Sequence, residues 1–454
     1  MPLREDGIRL KMSSQASNST SRYLNPSDIN IMPGYTIEVF AEGLNTPSSI
    51  LFTSEGELLI ADTGYISGNP NVARMVNDHF ELIADNFNVP LTGINSRDGD
   101  IYVSDRGNIT VIKKNGSRQN IITGLPSYGD YSNSRVAFST DNKMYFGLGT
   151  ATNSGVVGLD NLWITDHPLF HDRPGAYILL NGQNFKTKDA LAPESDTPAY
   201  TGAFSPYGES NLPFEKRKGV RKASGSILRS NLDGSELELI AWGLRSPSYL
   251  EFDAQNRLFA SNNGCDIRGS RPIANAPDEF QYIVPGSWYG WPDFVGGEAV
   301  TSNRFKPEGG PQPEFLLTNH PDLPPRPYAI FPPTSTIIGF AFNYDITFGP
   351  VGDAYIAEFG RIKPSTYGES LPQYLSVGYR ISKINMVNGA VTTFAINKSG
   401  FPASITREGG LSRPADIAFG PDGAMYIVDM GTNPPDNPDS FLPNTGVIWR
   451  VRRT

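Results

Sequence analysis

Two similar stretches of this chain are the most informative about its fold: TPSSILFTSEGELLIADTG (residues 46–64) and RPADIAFGPDGAMYIVDMG (residues 413–431). Each begins with a turn that contains proline, continues through alternating apolar positions to an acidic residue and a glycine, and ends in a second apolar run. The alternation has the two-residue period of a β-strand rather than the period of a helix. A glycine beside an acidic residue tolerates a positive φ and closes a hairpin. Each stretch therefore predicts two antiparallel strands.

The same pattern occurs six times along the chain. The other copies are VPLTGINSRDGDIYVSDRG (89–107), SNSRVAFSTDNKMYFGLGT (132–150), SPSYLEFDAQNRLFASNNG (246–264) and TIIGFAFNYDITFGPVGDAYIAEFG (336–360). Phe52, Asn95 and Phe138 hold equivalent anchor positions, and they are evenly spaced at the interval of about 40–50 residues that is typical of propeller blades. Further strand candidates precede and follow the copies, which indicates four strands in each blade.

We therefore predict an all-β fold, a six-bladed β-propeller with long inserted loops. In this prediction residues 1–33 are a polar N-terminal extension and residues 34–454 are a single propeller. YTIEVFA (35–41) and VIWRVRR (447–453) are expected to pair in one blade, because closing the ring leaves few strand edges exposed. The largest insertions are expected at about 153–224, 292–335 and 361–390. Long loops on a rigid scaffold commonly carry binding and specificity, and the alternative is that these loops only decorate the rim.

Composition and charge narrow the classes of function. The chain has 454 residues with 46 Gly and 37 Pro, which suits many short strands and turns. Its formal net charge is −9 and it has no long run of Lys or Arg, so nucleic acid is not expected as a partner. No apolar stretch is long enough for a membrane helix. The polar first 25 residues hold no signal region, so the chain as written is expected to be cytoplasmic, or extracellular or periplasmic if a signal was removed.

Few residues bear recognisable chemistry. Cys265 is the single cysteine, which excludes an internal disulfide and a cysteine-based zinc site. A lone cysteine is more often a buried apolar residue than a nucleophile. Among the four histidines only His167 and His171 have a spacing suited to a metal, and the prolines around them argue against the helix such a pair needs. No nucleophile-elbow, P-loop or dinucleotide motif lies in its required context.

Polar residues recur at the step that leads into the innermost strand of each repeat. Seven positions before the anchors stand Asn45, Asn88, Tyr131, Arg245, Ser335 and Ser412. A polar ring of this kind is what a pocket at the propeller mouth needs, although turn positions are polar in many folds. Arg245 differs from the others, because a cation that points into a narrow axial funnel usually has an anionic partner.

A family resemblance rests on four segments. The longest is AWGLRSPSYLEFDAQNRLFASNNGCDIRGSRPIANAPDEFQYIVPGSWYGWPDF (241–294), which resembles the soluble glucose/sorbosone dehydrogenases. The segments GTATNSGVVG (149–158), KPEGGPQPEFLL (306–317) and FGPDGAMYIVDMG (419–431) resemble the sorbosone dehydrogenase branch. The resemblance covers nearly the whole chain from about Gly34, and LRSPSYLEF followed by YGWPDF is its most specific part. It implies a six-bladed propeller that uses pyrroloquinoline quinone and calcium to oxidise a sugar or an aldehyde.

The resemblance also implies roles for single residues. In that family a base removes a hydroxyl proton while hydride passes to the quinone, and an arginine, here Arg245, stabilises the developing negative charge. The carbonyls of Gly264 and Cys265 would hold the calcium that polarises the quinone. The other residues assigned to the cofactor are Asp130, Asn88 and Asn263. The carboxylates of the quinone need cations, and the repeat spacing offers Arg245 and Arg413, with Arg361 as a weaker candidate. A second, structural calcium would bind Asp278, Glu279 and the carbonyl of Tyr289, and the alternative for the two carboxylates is a solvated turn.

The chain departs from the family pattern at the catalytic base. The family histidine stands in a stretch that resembles GDHH, and the stretch here is GDYS, so Tyr131 takes the catalytic position beside Arg245. A tyrosine has a pKa near 10 and is a poor base at neutral pH unless that pKa is shifted. Arg245 across the funnel is the residue expected to lower it. The segment PPTST (332–336) also lacks a histidine that the branch would have.

The leading prediction is a quinone-dependent oxidoreductase that acts on a sugar or an aldehyde as its small-molecule partner. The first alternative is a non-catalytic propeller that binds a carbohydrate or another small polar ligand, which the missing histidine favours. The second is a calcium-dependent hydrolase or lactonase, which needs several carboxylates on the axis, whereas the ring offers Asn45 and Asn88. The sequence determines neither the substrate nor the oligomeric state.

Overall fold

The structure is a computed structural model that describes residues 22–361, 376–434 and 440–454. Six antiparallel sheets are arranged as the predicted six-bladed propeller, and we number the blades in the order in which the chain forms their inner strands. From the inner strand outward, blade 1 contains Pro47–Phe52, Leu58–Asp62, Asn71–Val76 and His79–Ala84, and blade 2 contains Leu91–Arg97, Asp100–Asp105, Asn108–Ile112 and Arg118–Ile122. Blade 3 contains Ala137–Phe138, Lys143–Leu148, Ser226–Asn231 and Glu238–Trp242, and blade 4 contains Pro247–Phe252, Leu258–Asn262, Asp278–Tyr282 and Ala329–Phe331. Blade 5 contains Ile337–Phe342, Ala354–Glu358, Arg380–Ile384, Val391–Asn397 and Ile29–Ile31, and blade 6 contains Pro414–Phe419, Met425–Asp429, Gly446–Arg453 and Tyr35–Leu44.

The remaining regular elements are short. Three two-stranded ladders join Ile178–Leu179 to Lys216–Arg217, Asn184–Thr187 to Ala199–Gly202, and Phe294–Val295 to Glu298–Ala299. Single helical turns lie at Pro26–Asp28, Leu162–Ile164, Asn303–Phe305 and Ala403–Thr406. Among the described residues, none of the helices has the length and apolar character needed to cross a membrane.

The two ends of the described chain meet in blade 6, as predicted. Tyr35–Leu44 pairs antiparallel with Gly446–Arg453, with Tyr35 opposite Arg453 and Leu44 opposite Gly446. The structure differs from the predicted boundary at residue 34. Ile29–Ile31 adds a fifth strand to blade 5, and the Arg22 guanidinium lies 2.8 Å from Asp429 in blade 6. Residues 22–33 therefore belong to the propeller. Ile29–Ile31 covers the outer edge of blade 5, and Arg22 neutralises the buried Asp429 carboxylate.

An ion pair crosses the propeller axis below the mouth. Arg135 of blade 3 lies 3.8 Å from the Asp416 carboxylate of blade 6 and 3.1 Å from the Glu251 carboxylate of blade 4. Asp416 also accepts hydrogen bonds from the Ser49 hydroxyl at 2.9 Å and the Ile50 amide at 3.0 Å in blade 1. Arg135 is 6% exposed and Asp416 is fully buried, so side chains fill the axis at this level.

Two inner-strand glycines make room for this ion pair. A Cβ on Gly93 of blade 2 would lie 2.4 Å from the Cβ of Arg135, and a Cβ on Gly339 of blade 5 would lie 2.5 Å from an oxygen of Asp416. Any side chain at either position would displace the pair. All six blades therefore contribute to this level of the axis.

The long insertions of blades 3 and 4 share one hydrophobic core. Leu180 from the blade 3 insertion forms a bridge with Leu317 from the blade 4 insertion, and Phe204 packs edge-on against Trp291. These insertions are therefore part of the folded core and not only loops at the rim, since the apolar side chains of one are buried against those of the other.

Candidate functional site at the propeller mouth

Successive strands of a blade run in opposite directions, so two sets of connections emerge at the same end of the propeller. These are the segments that lead into the inner strands and the loops between the second and third strands. We call this end the mouth. It carries Tyr131, Arg245 and Arg413 in the first set and Gly264 and Cys265 in the second.

Arg245 lies where blade 3 leads into blade 4. The backbone amides of Arg245 and Ser246 both donate to the Asn262 side-chain oxygen at 3.0 Å, which fixes the turn. The guanidinium is buried and donates to the Asp266 carboxylate at 2.7 Å. It also donates to the side-chain oxygen of Asn153 at 2.7 Å and to its backbone carbonyl at 3.0 Å. The sequence predicted an anionic partner for Arg245, and the structure shows that this partner is Asp266. Asn153 fixes the orientation of the guanidinium.

Tyr131 and Arg245 come together although they belong to different blades. The guanidinium carbon of Arg245 lies 4.5 Å from the centre of the Tyr131 ring, and Arg268 donates a hydrogen bond of 2.8 Å to the Tyr131 hydroxyl oxygen. Burial raises the pKa of this hydroxyl, and the opposing influence of Arg245 and Arg268 does not offset it. The expectation that Arg245 would lower the pKa is wrong, because removing a phenolate from water costs more than the two cations return. Tyr131 stays protonated at neutral pH.

Arg268 connects three carboxylates around Tyr131. It lies 2.6 Å from Asp130 and 3.3 Å from Asp266, and it contacts Asp160 as well. Although burial alone would raise the pKa of Asp266, Arg245 and Arg268 hold it below the usual value, and Arg361 acts in the same direction. Arg268, Asp160 and Asp266 were not predicted from the sequence as site residues. The one available signal was the position of Asp266 and Arg268 inside the segment 241–294 that carries the family resemblance.

The segment Asn263–Gly264–Cys265 offers backbone oxygens at the mouth. Gly264 and Cys265 are buried, and no described residue donates a hydrogen bond to either of their carbonyls. A Cβ at Gly264 would lie 2.2 Å from the carbonyl oxygen of Pro277, so only glycine fits. The Cys265 thiol donates to the Asn153 carbonyl at 3.4 Å, and burial raises the pKa of this thiol to about 11. Carbonyl oxygens without a donor are suitable ligands for calcium, so the residues present fit the ion that the resemblance implies.

Of the three residues proposed for a second calcium, Glu279 and Tyr289 line one cavity and Asp278 lies elsewhere. A cavity of about 10 Å³, enough for about one ion or water molecule, is lined by Glu279 and Tyr289 together with Arg245, Gly264 and Cys265. Asp278 does not line it, because consecutive residues of a strand point to opposite faces. In the described parts of the chain no three His, Cys, Asp or Glu side chains converge as metal ligands.

Asp278 and Glu279 are both buried, so the solvated-turn interpretation is wrong. The Asp278 carboxylate accepts from the Gly264 amide at 2.8 Å and the Thr336 amide at 2.5 Å, and burial raises its pKa to about 8. The Glu279 carboxylate accepts from Asn262 at 2.8 Å. Glu279 and Tyr289 border one cavity and Asp278 does not, and the second calcium stays a prediction.

Arg413 occupies the blade 6 side of the mouth. Its guanidinium donates to Asn433 at 2.7 Å and to the Arg361 carbonyl at 2.6 Å, and it faces the Phe359 and Tyr379 rings at 5.1 and 5.0 Å. Arg413 thus ties the mouth loops of blades 5 and 6 together.

The other ring positions behave as turn residues. Asn88 is exposed, and it donates its backbone amide to Asp105 at 2.6 Å and its side-chain amide to the Arg106 carbonyl at 2.9 Å. Ser335 and Ser412 are fully buried, and the Ser412 amide donates to Asp429 at 2.7 Å. The side chains of Asn88 and Ser335 therefore cap turn carbonyls, the Ser335 hydroxyl donating to Pro332 at 2.9 Å, whereas the buried Ser412 hydroxyl has no hydrogen-bond partner among the described residues.

The fold is that of the soluble quinone-dependent sugar dehydrogenases. A quinone-bound aldose sugar dehydrogenase from Streptomyces coelicolor has a TM-score of 0.52 and 17% identity over 93% of this chain and 99% of its own. The pyranose dehydrogenase quinone domain from Coprinopsis cinerea, in its holo form, has a TM-score of 0.58 and 13% identity over 98% of this chain and 100% of its own. The calcium structure of a Trichoderma reesei carbohydrate-active enzyme of family AA12 has a TM-score of 0.57 and 14% identity over 99% of this chain and 100% of its own.

At these identities the similarity establishes the fold, and the predicted resemblance is confirmed at that level. The sorbosone dehydrogenase branch stays a prediction. No protein-family model and no curated protein sequence matches the chain.

Proposed function

We propose that this chain binds pyrroloquinoline quinone and calcium at the propeller mouth and oxidises a sugar or an aldehyde. The observation that carries the proposal is a rigidly held arginine beside carbonyls that have no donor. Arg245 is fixed by Asn153 and Asp266, and the same Asn153 contacts Cys265, whose carbonyl stands next to that of Gly264. Solved structures with this fold include a quinone-bound aldose sugar dehydrogenase and a calcium structure of a carbohydrate-active enzyme of family AA12.

Each residue has a definite part in this proposal. The Gly264 and Cys265 carbonyls bind calcium, and Arg245 stabilises the negative charge that develops on the substrate oxygen. Arg413 and Arg361 supply positive charge for the carboxylates of the quinone, and Asn88, Asp130 and Asn263 border the cofactor. When bound, the quinone supplies a hydride acceptor and the calcium polarises it.

The second candidate is a propeller that binds a carbohydrate without oxidising it. The protonated state of Tyr131 favours it, because burial raises the pKa of the only residue at the family's base position. Both candidates place a polar ligand beside Arg245, so the cofactor is the property that separates them.

An absorbance titration with pyrroloquinoline quinone in the presence of calcium tests the proposal. We expect saturable binding that Arg245→Ala weakens and Cys265→Ala preserves, because Cys265 contributes its carbonyl and not its thiol. Dye reduction over aldoses, sorbosone and simple aldehydes then identifies the substrate. A protein that shows no quinone binding in the titration, and in which Arg245→Ala changes only the affinity for a sugar, would be the binding protein instead.

Calcium binding is tested separately by thermal unfolding. Calcium that binds only the native state raises the melting temperature, and a chelator reverses the shift. Glu279→Gln should reduce the shift, because Glu279 borders the one-ion cavity with Tyr289. A melting curve that neither calcium nor chelator moves would remove calcium from the proposal.

A further inference from the structure

A cluster of aromatic rings lies on the rim of the mouth. Tyr128 from the segment between blades 2 and 3 lies 4.5 Å from the ring of His167 and 6.2 Å from that of Phe170, both in the blade 3 insertion. Phe170 packs edge-on against Trp163 with their ring centres 5.4 Å apart. We call these four residues the rim cluster. It brings together two segments that are separate in sequence, so the tertiary structure creates it.

The rim cluster is linked to the candidate site by hydrogen bonds. The Trp163 indole donates to the Asp130 carboxylate at 3.1 Å, and Asp130 lies 2.6 Å from Arg268. Arg268 in turn donates to the Tyr131 hydroxyl. The cluster is thus held in a defined position relative to Arg245 and Tyr131.

The exposed surface of the rim cluster combines apolar and polar groups. Tyr128 is 48% exposed, and the neighbouring Leu162 and Leu169 are 85% and 73% exposed. The Tyr128 hydroxyl and the side chain of His167 form no hydrogen bond with any described residue. Exposed apolar surface of this kind commonly marks a binding site, and rings with free polar groups suit a ligand that has an apolar face and a polar edge.

We propose that the rim cluster is a saccharide subsite, and that the protein prefers an oligosaccharide to a monosaccharide. A pyranose ring presents C–H groups on its face and hydroxyls on its edge, which match the aromatic rings and the free polar groups. The formal net charge of −9 favours a neutral glycan over an anionic one. The proposal rests on the proposed function for the end of the glycan that reaches Arg245. Because Trp163 bonds to Asp130, and Asp130 pairs with Arg268 beside Tyr131, we expect one chain of sugars to reach both the cluster and the mouth.

Binding of glucose, cellotriose and maltotriose to the protein without added quinone tests this inference. Isothermal titration and quenching of tryptophan fluorescence are the readouts, because Trp163 belongs to the cluster. We expect at least one trisaccharide to bind more tightly than glucose, and Tyr128→Ala to reduce that affinity about 10-fold. Tyr128→Phe keeps the ring and should retain most of the affinity. Tyr200→Ala is the matched control, because Tyr200 is 45% exposed on the same insertion and lies outside the cluster.

The outcomes separate this inference from the proposed function. Trisaccharide binding that depends on Tyr128 supports the subsite even if the quinone never binds. Equal binding of glucose and both trisaccharides, or a Tyr128→Ala variant that binds them as tightly as the native protein, overturns it even if the quinone enzyme is active. Absence of sugar binding together with self-association that Leu162→Ser abolishes would overturn it and assign the surface to contacts between copies of the chain.

Discussion

At the residue scale the central question is which group accepts a proton at the mouth. Tyr131 lies between the Arg245 guanidinium over its ring and the Arg268 guanidinium at its hydroxyl. Both cations favour the phenolate, but burial disfavours it more and raises the pKa. Tyr131 therefore acts as a hydrogen-bond acceptor for Arg268 at neutral pH, and it is a poor base.

Tyr131→His restores a base at this position. Burial and the two arginines disfavour protonation of a histidine here, while Asp130 and Asp266 favour it, and we expect burial and the cations to keep the imidazole neutral at pH 7. General-base catalysis contributes about 10²–10⁴-fold, so we expect quinone-dependent turnover to rise by up to that range, measured by dye reduction with the best substrate of the screen. Tyr131→Phe is the control and should show no gain. If Tyr131→Phe instead abolishes native turnover while quinone binding persists, the tyrosine takes part in the reaction.

At the element scale, a side chain that accepts hydrogen bonds from backbone amides at the mouth recurs in several blades. Asp105, Asn262 and Asp429 end the second strands of their blades and accept from amides that lead into the inner strands. In blade 3 a residue of the insertion, Asp172, takes a comparable role. It accepts from the amides of Ala151 and Thr152 at 2.6 and 3.2 Å, and so holds the loop that carries Asn153.

We expect Asp172 to make the stability of the protein depend on pH. Burial raises its pKa to about 6, above the ordinary value of 3.8. The folded protein binds this proton more tightly than the unfolded chain, so the stabilisation is complete below about pH 4 and is lost as pH rises through 6. Asp172→Asn cannot ionise and should flatten the dependence of melting temperature on pH between 4 and 7. Asp196→Asn, at an exposed position of the same insertion, should leave the slope unchanged. An unchanged slope in Asp172→Asn would show that another group carries the dependence.

At the scale of the whole molecule, the ring of blades is held together on its axis and at its closure. On the axis, Arg135 reaches Asp416 and Glu251 in two other blades, and Asp416 reaches blade 1. At the closure, Arg22 donates to Asp429 and to the carbonyls of Gly410 and Thr445. A layer of buried charged residues therefore lies below the mouth, and Arg22 helps to fix the position of blade 6.

Removal of one partner from the axial pair should destabilise the entire propeller. Asp416→Ala leaves the buried Arg135 short of a counter-charge, and breaking a buried pair costs about 3–5 kcal/mol of unfolding free energy. Glu57→Ala breaks a pair with Arg74 in which both side chains are more than 40% exposed, and should cost at most about 1 kcal/mol. Chemical denaturation measures both values. Equal losses in the two variants would mean that the axial pair does not hold the blades together.

Arg22→Ala should loosen the closing blade. The side chain is 4% exposed and its carboxylate partner Asp429 is fully buried, so the loss is expected to be about 1.5–3 kcal/mol. Hydrogen exchange should show the largest change in the strands Tyr35–Leu44 and Gly446–Arg453. Faster exchange spread evenly over all six blades would argue against a local role for Arg22.

The architecture could be predicted from the sequence because it depends on local pattern. Two-residue alternation and hairpin glycines specify strands, six copies specify six blades, and the two terminal strand candidates had no other partner. Equivalent positions in a repeat face the same axis, which is why Tyr131 and Arg245 could be expected in one pocket. The axial residues Arg135 and Asp416 were available from the same argument, three positions before their anchors.

The features that could not be predicted from the sequence depend on burial and on contacts between distant segments. Asp130, Asp160 and Asp266 come from three separate stretches and meet because Arg268 lies among them. The direction of the Tyr131 pKa shift follows from the balance between desolvation and nearby charge. The separation of Asp278 from the cavity that Glu279 borders follows from the strand that contains both residues. A repeat in the sequence determines at which position of the propeller a side chain lies. The solvent exposure of that side chain and the residues it contacts depend on how the insertions pack around the mouth.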